Sequence, residues 1–207
     1  MVTANTALTI RPLTPSRWPD FESIFAARGC SVARGCSCMF YRETGRQEVP
    51  AGMRLADIRR KKMRALCDAG PPPGLIAYQD GRPVGWVTLG PRRNFLRLAR
   101  SSVMKPVDDA AVWSIVCFVV PAEFRHQGVA AALLRGAVDY ATRRGARIVE
   151  SYPVDRATRG RDEDMWFGTK SMFDRAGFVE VARRKPRRPV MRLQLTPARR
   201  PKASAAR

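Results

Sequence analysis

Residues 112–131 read Val112-Trp113-Ser114-Ile115-Val116-Cys117-Phe118-Val119-Val120-Pro121-Ala122-Glu123-Phe124-Arg125-His126-Gln127-Gly128-Val129-Ala130-Ala131. The first nine are mostly β-branched or aromatic, a run apolar enough to be a central strand covered on both faces. Pro121 ends it, and residues 121–127 read as a loop. Over residues 128–144, Val129, Leu133, Leu134, Ala137, Val138 and Ala141 mark one helical face, with Gly145 as the C-terminal stop. Residues 147–152 form the next strand, so the unit is strand, loop, helix, strand with the parallel crossover that order implies. Free backbone N–H groups, the positive end of the helix dipole and a glycine that permits close approach make the loop-to-helix turn an anion site. It matches neither G-x-x-x-x-G-K-[ST] nor G-x-G-x-x-G, so a P-loop nucleotidase and a dinucleotide fold both lose support. The competing explanation is an ordinary turn that happens to contain glycine.

Working outward, residues 7–13 alternate as a half-buried strand would, and residues 18–27 carry Phe21, Ile24 and Phe25 at helical spacing up to Gly29. A Gly/Cys segment, residues 29–41, follows. Residues 55–69 form a basic amphipathic helix with Leu55, Ile58, Met63 and Leu66 inward, stopped by Gly70 and three prolines. Two strands, residues 75–78 and 84–89, flank the turn Asp80-Gly81-Arg82 as a hairpin. Residues 91–105 contain no acid and read as a loop. Beyond the central unit come a short helix at residues 170–176, stopped by Gly177, and an antiparallel strand pair at residues 178–182 and 190–195. The fold class is α/β with a mixed sheet of about seven strands flanked by helices. One domain over residues 7–196 is expected, with a flexible start at 1–6 and a basic frayed tail at 197–207.

The segment Val116-Cys117-Phe118-Val119-Val120-Pro121 followed by Arg125-x-x-Gly128-x-Ala130 resembles the acyl-CoA motif of the GNAT superfamily of N-acetyltransferases, R/Q-x-x-G-x-G/A. The element order and the closing Ala176-Gly177-Phe178 extend the resemblance over most of the chain. It implies acetyl-CoA as co-substrate, with its diphosphate on the backbone of Arg125, His126, Gln127, Gly128, Val129, Ala130 and Ala131. The pantetheine arm would pair with Cys117, Phe118, Val119 and Val120 where the motif strand splays from its neighbour, a strand addition by a ligand. An amide at Cys117 or Phe118 would stabilise the oxyanion as an amine attacks directly. The segment between the first two helices commonly lines the acceptor pocket in this family, which nominates Cys36, Cys38, Phe40, Tyr41 and Arg42. A loop that merely covers the sheet explains those residues equally well.

Two positions depart from the family pattern. Many members carry a glutamate near the start of the motif strand as general base, where this chain offers Trp113 and Ser114. Many place a tyrosine four residues before the closing Gly-Phe to protonate the leaving thiolate; here that position is Phe173, which has no proton to give. Phe173 is therefore counted only with the cofactor-binding residues. Ser114, Tyr152 and Ser171 are the candidates for moving protons. His126 is the one histidine, inside the phosphate turn, so it suits phosphate or solvent contact better than catalysis. A Ser-His-Asp triad and multi-histidine metal sites lose support with it. Cys30, Cys36 and Cys38 with Cys67 or Cys117 lack customary zinc spacing, and no metal is expected.

The 207 residues carry 38 Lys+Arg against 18 Asp+Glu, a formal charge of +20. Ten of the basic residues, and no acid, lie in the last 25. Such clusters can bind phosphate, nucleic acid or acidic membrane, but an Arg-rich, Ala-rich composition on solvated faces accounts for them as well. The five cysteines are odd in number and irregularly spaced, which fits reduced thiols in a cytoplasm. The start of the chain lacks the basic and apolar stretches of a signal peptide, so a cytoplasmic protein without membrane partners is expected. The leading expectation is an acetyl-CoA-dependent N-acyltransferase acting on an unidentified primary amine; a homodimer is compatible with it. The alternatives are an acyl-CoA-binding regulatory domain without catalysis and a basic nucleic-acid-associated protein, the last disfavoured.

Overall fold

In the computed structural model, residues 7–156 and 165–196 are described. The chain runs β1 (Thr9–Pro12), α1 (Trp18–Ala26), α2 (Ser31–Cys36), α3 (Leu55–Ala69), β2 (Gly74–Gln79), β3 (Arg82–Pro91), α4 (Leu96–Ala99), β4 (Trp113–Val119), α5 (Val129–Arg143), β5 (Ile148–Ser151), α6 (Lys170–Arg175), β6 (Val179–Lys185) and β7 (Arg188–Gln194). One seven-stranded sheet has the order β1-β2-β3-β4-β5-β7-β6. Every neighbouring pair is antiparallel except β4 and β5, which the α5 crossover makes parallel. The expected tails, residues 1–6 and 197–207, lie outside the described residues.

Two segments gain structure that the sequence did not announce. Within residues 29–41, α2 forms and buries Ala33, then Ser37 ends it in the left-handed region. In the acid-free stretch, Phe95 and Leu98 are buried and fold a 3-10 turn (Arg92–Asn94) and α4 onto the core. Two anchors among basic residues are too short a pattern to show a period. The hairpin turn has both Asp80 and Gly81 at positive φ, the geometry that matches the twist of its flanking strands.

The core lies on both faces of the sheet. Phe21, Ile24, Met63, Trp86 and Phe167 pack on one face, beneath α1 and α3. Leu133, Ala137, Phe173 and Phe178 pack on the other, beneath α5 and α6. β4 changes its allegiance partway along. Its register with β3 steps from Thr88↔Cys117 to Leu89↔Ile115, which leaves Val116 as an extra, bulged residue. Val116 and Cys117 consequently both join the first cluster, whereas Ile115 and Phe118 join the second. On its other edge β4 pairs with β5 only through Trp113, Ser114 and Ile115. Past the bulge the two strands diverge, and that divergence opens the site.

Candidate functional site

A cleft of about 420 Å³ lies at the divergence. Phe118, Val119 and Val120 form one wall, Arg125, His126, Gly128, Val129, Ala130 and Ala131 its floor, and Gly29, Cys30, Val32 and Ala33 a second wall. Met165, Trp166, Gly168, Thr169 and Met172 close the third side. The floor is the turn into α5. His126 and Gly128 both have positive φ, 65° and 79°, no side chain caps the helix, and its first turn holds no acid. The leading N–H groups of a helix have no intrahelical acceptor, so here they face the cleft. A Cβ built on Gly128 meets nothing within 4 Å. That open volume beside an uncapped, 15-residue helix fits a phosphate group held by backbone.

Two side chains of the turn are tied to neighbouring backbone. Arg125 donates from Nε to the Val120 carbonyl at 3.1 Å and from a terminal nitrogen to the Gly29 carbonyl at 2.7 Å. It thereby clamps the end of the motif strand to the α1–α2 connection. Gln127 donates to the Glu123 carbonyl at 2.7 Å.

Of the two candidate amides, Phe118 N–H faces the cleft and donates to the Trp166 carbonyl at 2.7 Å. Hydrogen bonding alternates along an antiparallel pair, so Cys117 N–H turns into the β3 ladder. The Trp166 carbonyl was not foreseen: residues 153–169 gave no periodic pattern to read.

The proton-transfer candidates are not together. Ser171 is exposed on α6 beside Thr169 (Oγ to Oγ1, 3.1 Å). Ser114 and Tyr152 are fully buried and joined by a 3.0 Å hydrogen bond, and Tyr152 donates to Glu150 at 2.7 Å. Glu150, also fully buried, takes Arg92 at 2.6 Å on one oxygen and Arg192 at 2.8 Å on the other. Arg192 reaches on to Asp108 at 2.6 Å, and its guanidinium holds that carboxyl below the ordinary carboxylate range. Arg92 also donates to the Tyr152 hydroxyl. Burial, reinforced by Glu150, pushes the Tyr152 phenol well above its usual range, so it keeps its proton. The sequence carried a signal for this cluster: Glu150 in one apolar strand and Arg192 in another are direct cross-strand partners. Phe173 is fully buried between Phe118 and Phe178, with ring centroids at 6.3 and 5.0 Å, and does not line the cleft.

The five acceptor candidates also divide. Phe40 and Tyr41 open on a second cleft of about 420 Å³ with Thr44, Arg97, Arg100 and Met104. Tyr41 packs on Phe167 at 5.2 Å, beside Trp166, and burial raises its phenol to about 12. Arg42 turns to another hollow near Pro73 and Asn94, lies 4.6 Å over the Phe95 ring, and is lowered by burial to about 10. Burial raises the half-buried Cys36 thiol to about 11, and Cys38 is buried. Among the described residues no three His, Cys, Asp or Glu side chains converge as a metal site would require, and no helix is long and apolar enough to cross a membrane.

A mixed sheet splayed beside an uncapped helix N-terminus is an arrangement whose overall fold recurs in solved structures. A GNAT-related N-acetyltransferase from Kribbella flavida is 19% identical with a TM-score of 0.52, covering 91% of this chain and 98% of its own. The Drosophila melanogaster polyamine N-acetyltransferase, which forms N-acetylagmatine, is 12% identical with a TM-score of 0.54, covering 91% and 100%. The NatC complex bound to a Gag peptide and CoA is 13% identical with a TM-score of 0.50, covering 91% and 99%. No curated protein matches the chain in sequence. Residues 39–159 match the acetyltransferase (GNAT) family, and the chain belongs to that family.

Proposed function

We propose that the chain transfers an acetyl group from acetyl-CoA to a primary amine by direct attack. The carrying observation is the cleft where an uncapped helix N-terminus and the Phe118 N–H face the same space. Bound there, acetyl-CoA supplies an activated acyl thioester. The backbone N–H groups from His126 to Ala131 hold its diphosphate. The edge of β4 from Phe118 to Val120 orients the pantetheine arm by strand addition. Phe118 N–H, exchanging the Trp166 carbonyl for the acyl oxygen, stabilises the negative charge that develops there. The amine enters by the cleft beside Tyr41, whose ring packs on Phe167. It attacks in its neutral form and loses its proton to water, because the Ser114 and Tyr152 hydroxyls are sealed from solvent. The buried Ser114–Tyr152–Glu150 row holds β4 against β5 below the divergence.

Phe173 supports a second reading, an acyl-CoA-binding domain without turnover, since the family's usual acid is missing there. A thiol-release assay with acetyl-CoA and a panel of amines separates the two. The expected result is amine-dependent release well above hydrolysis. Tight acetyl-CoA binding with no amine-dependent release across the panel would select the second reading.

A further inference from the structure

The proposed transfer gives the Cys38 thiol no part, yet its surroundings are built for a reactive sulfur. Trp86 Nε1 donates to Cys38 Sγ at 3.1 Å and to Thr88 Oγ1 at 2.8 Å, with all three groups buried. An indole N–H only donates, so it favours the electron-rich thiolate. Thr88 stands opposite Cys117 across the β3–β4 ladder, and the bulge at Val116 turns Cys117 to the same face. Cys38 and Cys117 therefore lie in one buried cluster, with Trp86 touching Cys38 and Thr88, and Thr88 opposite Cys117. Ser37 and Cys38 hold φ of 44° and 54°, a left-handed pair without glycine, which fixes the thiol beneath the sheet.

Burial alone would raise the Cys38 thiol. Hydrogen bonds from Cys117, Thr88 and Trp86 and the charge of Arg42 outweigh it and hold the group below its ordinary value. Cys117 is pushed well up by its hydrogen bond to Cys38 and by burial, and keeps its proton. Of the two sulfurs, Cys38 is therefore the one that more readily gives up its proton and Cys117 the one that holds it.

We propose that Cys38 and Cys117 form a dithiol that a hydroperoxide converts to a disulfide, tying the segment after α2 to the bulge of the motif strand. Cys38 thiolate attacks the peroxide O–O bond, giving a sulfenic acid at Cys38 and releasing hydroxide. The Cys117 sulfur then displaces the sulfenic oxygen, which leaves as water. The balance is two thiols and one hydrogen peroxide to one disulfide and two waters. Cys117 precedes Phe118, whose N–H faces the cleft, so the link restrains the strand edge on which acetyl-CoA is proposed to bind. That consequence rests on the proposed function; the disulfide does not.

The full chain, reduced and then treated with a small excess of hydrogen peroxide, is quenched with an alkylating maleimide and weighed intact. The expected product carries three labels on its five cysteines, and its digest contains a peptide pair joining Cys38 to Cys117 that dithiothreitol separates. Cys38→Ser and, separately, Cys117→Val abolish the pair, whereas Cys36→Ser retains it; the two different losses guard against one variant failing to fold. Five labels after treatment, a Cys36–Cys38 link, or sulfinic acid at Cys38 without a link would overturn the proposal. Acetyl-CoA titration of the reduced and oxidised protein is the second reading, with at least a tenfold loss of affinity on oxidation, restored by dithiothreitol. A link that forms in a chain binding acetyl-CoA in neither state would sink the functional reading alone. Normal binding with no link would sink the dithiol alone.

Discussion

At the scale of single residues, Gly128 separates backbone strain from ligand contact. Its φ of 79° is the left-handed region, where a side chain costs about 1 kcal/mol. Space is not the obstacle, because nothing stands within 4 Å of a Cβ there. Gly128→Ala and Gly128→Glu should therefore lose similar stability, a fall of about 2–4 °C in Tm for a chain of this size. Their acetyl-CoA affinities should part. Alanine leaves the N–H groups of the turn accessible and should cost little. Glutamate sets a carboxylate where a diphosphate must approach, and should cost more than about tenfold. Equal affinities in the two variants would mean the phosphates bind elsewhere. The turn and its glycine were legible in the sequence, because a glycine opening a helix after an apolar strand is a local pattern. The Trp166 carbonyl on Phe118 N–H was not, since nothing local in residues 153–169 records which distant amide they meet.

At the scale of elements, the position of α5 against the sheet decides whether the turn is placed correctly. Gly85 on β3 lets the helix approach: a Cβ there would meet Val129 Cγ1 at 2.7 Å and Leu133 Cδ1 at 3.1 Å. Val129 is β-branched and stiff in a helix, so Gly85→Ala must displace the first turn of α5, at about 1–3 kcal/mol. Acetyl-CoA affinity should fall several-fold. Gly136→Ala is the control. Its Cβ would crowd Ile10 of β1 at 2.7 Å, about two turns from the helix start, with up to about 1 kcal/mol returned by helix propensity. It should lower Tm and leave affinity unchanged. A similar affinity loss in both variants would mean that the binding defect is only reduced stability. The strands and long helices were readable because their apolar periods are several residues deep. α2 and α4 were missed because six and four residues are too few to establish a helical period, and their burial depends on partners far along the chain. The acceptor candidates diverged for a related reason. Residues adjacent in sequence after α2 turn to opposite sides once Ser37 and Cys38 take left-handed conformations.

At the scale of the whole molecule, the +20 charge acts as a field on the two proposed substrates. Acetyl-CoA carries a diphosphate and a ribose phosphate, so the field should accelerate its arrival. Screening lengths shrink from about 10 Å at 0.1 M salt to about 3 Å at 1 M, and the association rate should fall by about tenfold across that range while the dissociation rate changes little. The acceptor meets the same field. Arg97 and Arg100 line the cleft beside Tyr41, and the Arg188 guanidinium lies 4.7 Å over the Phe167 ring. Like charge at the entrance opposes a polyamine and favours an amine that also bears a carboxylate or phosphate. Measured at saturating acetyl-CoA, the KM of an anionic amine should rise with salt and that of a polyamine should fall, the two converging as the field is screened. A polyamine whose KM is the lower at low salt and rises with added salt would show that the acceptor reaches the thioester by a route these arginines do not line.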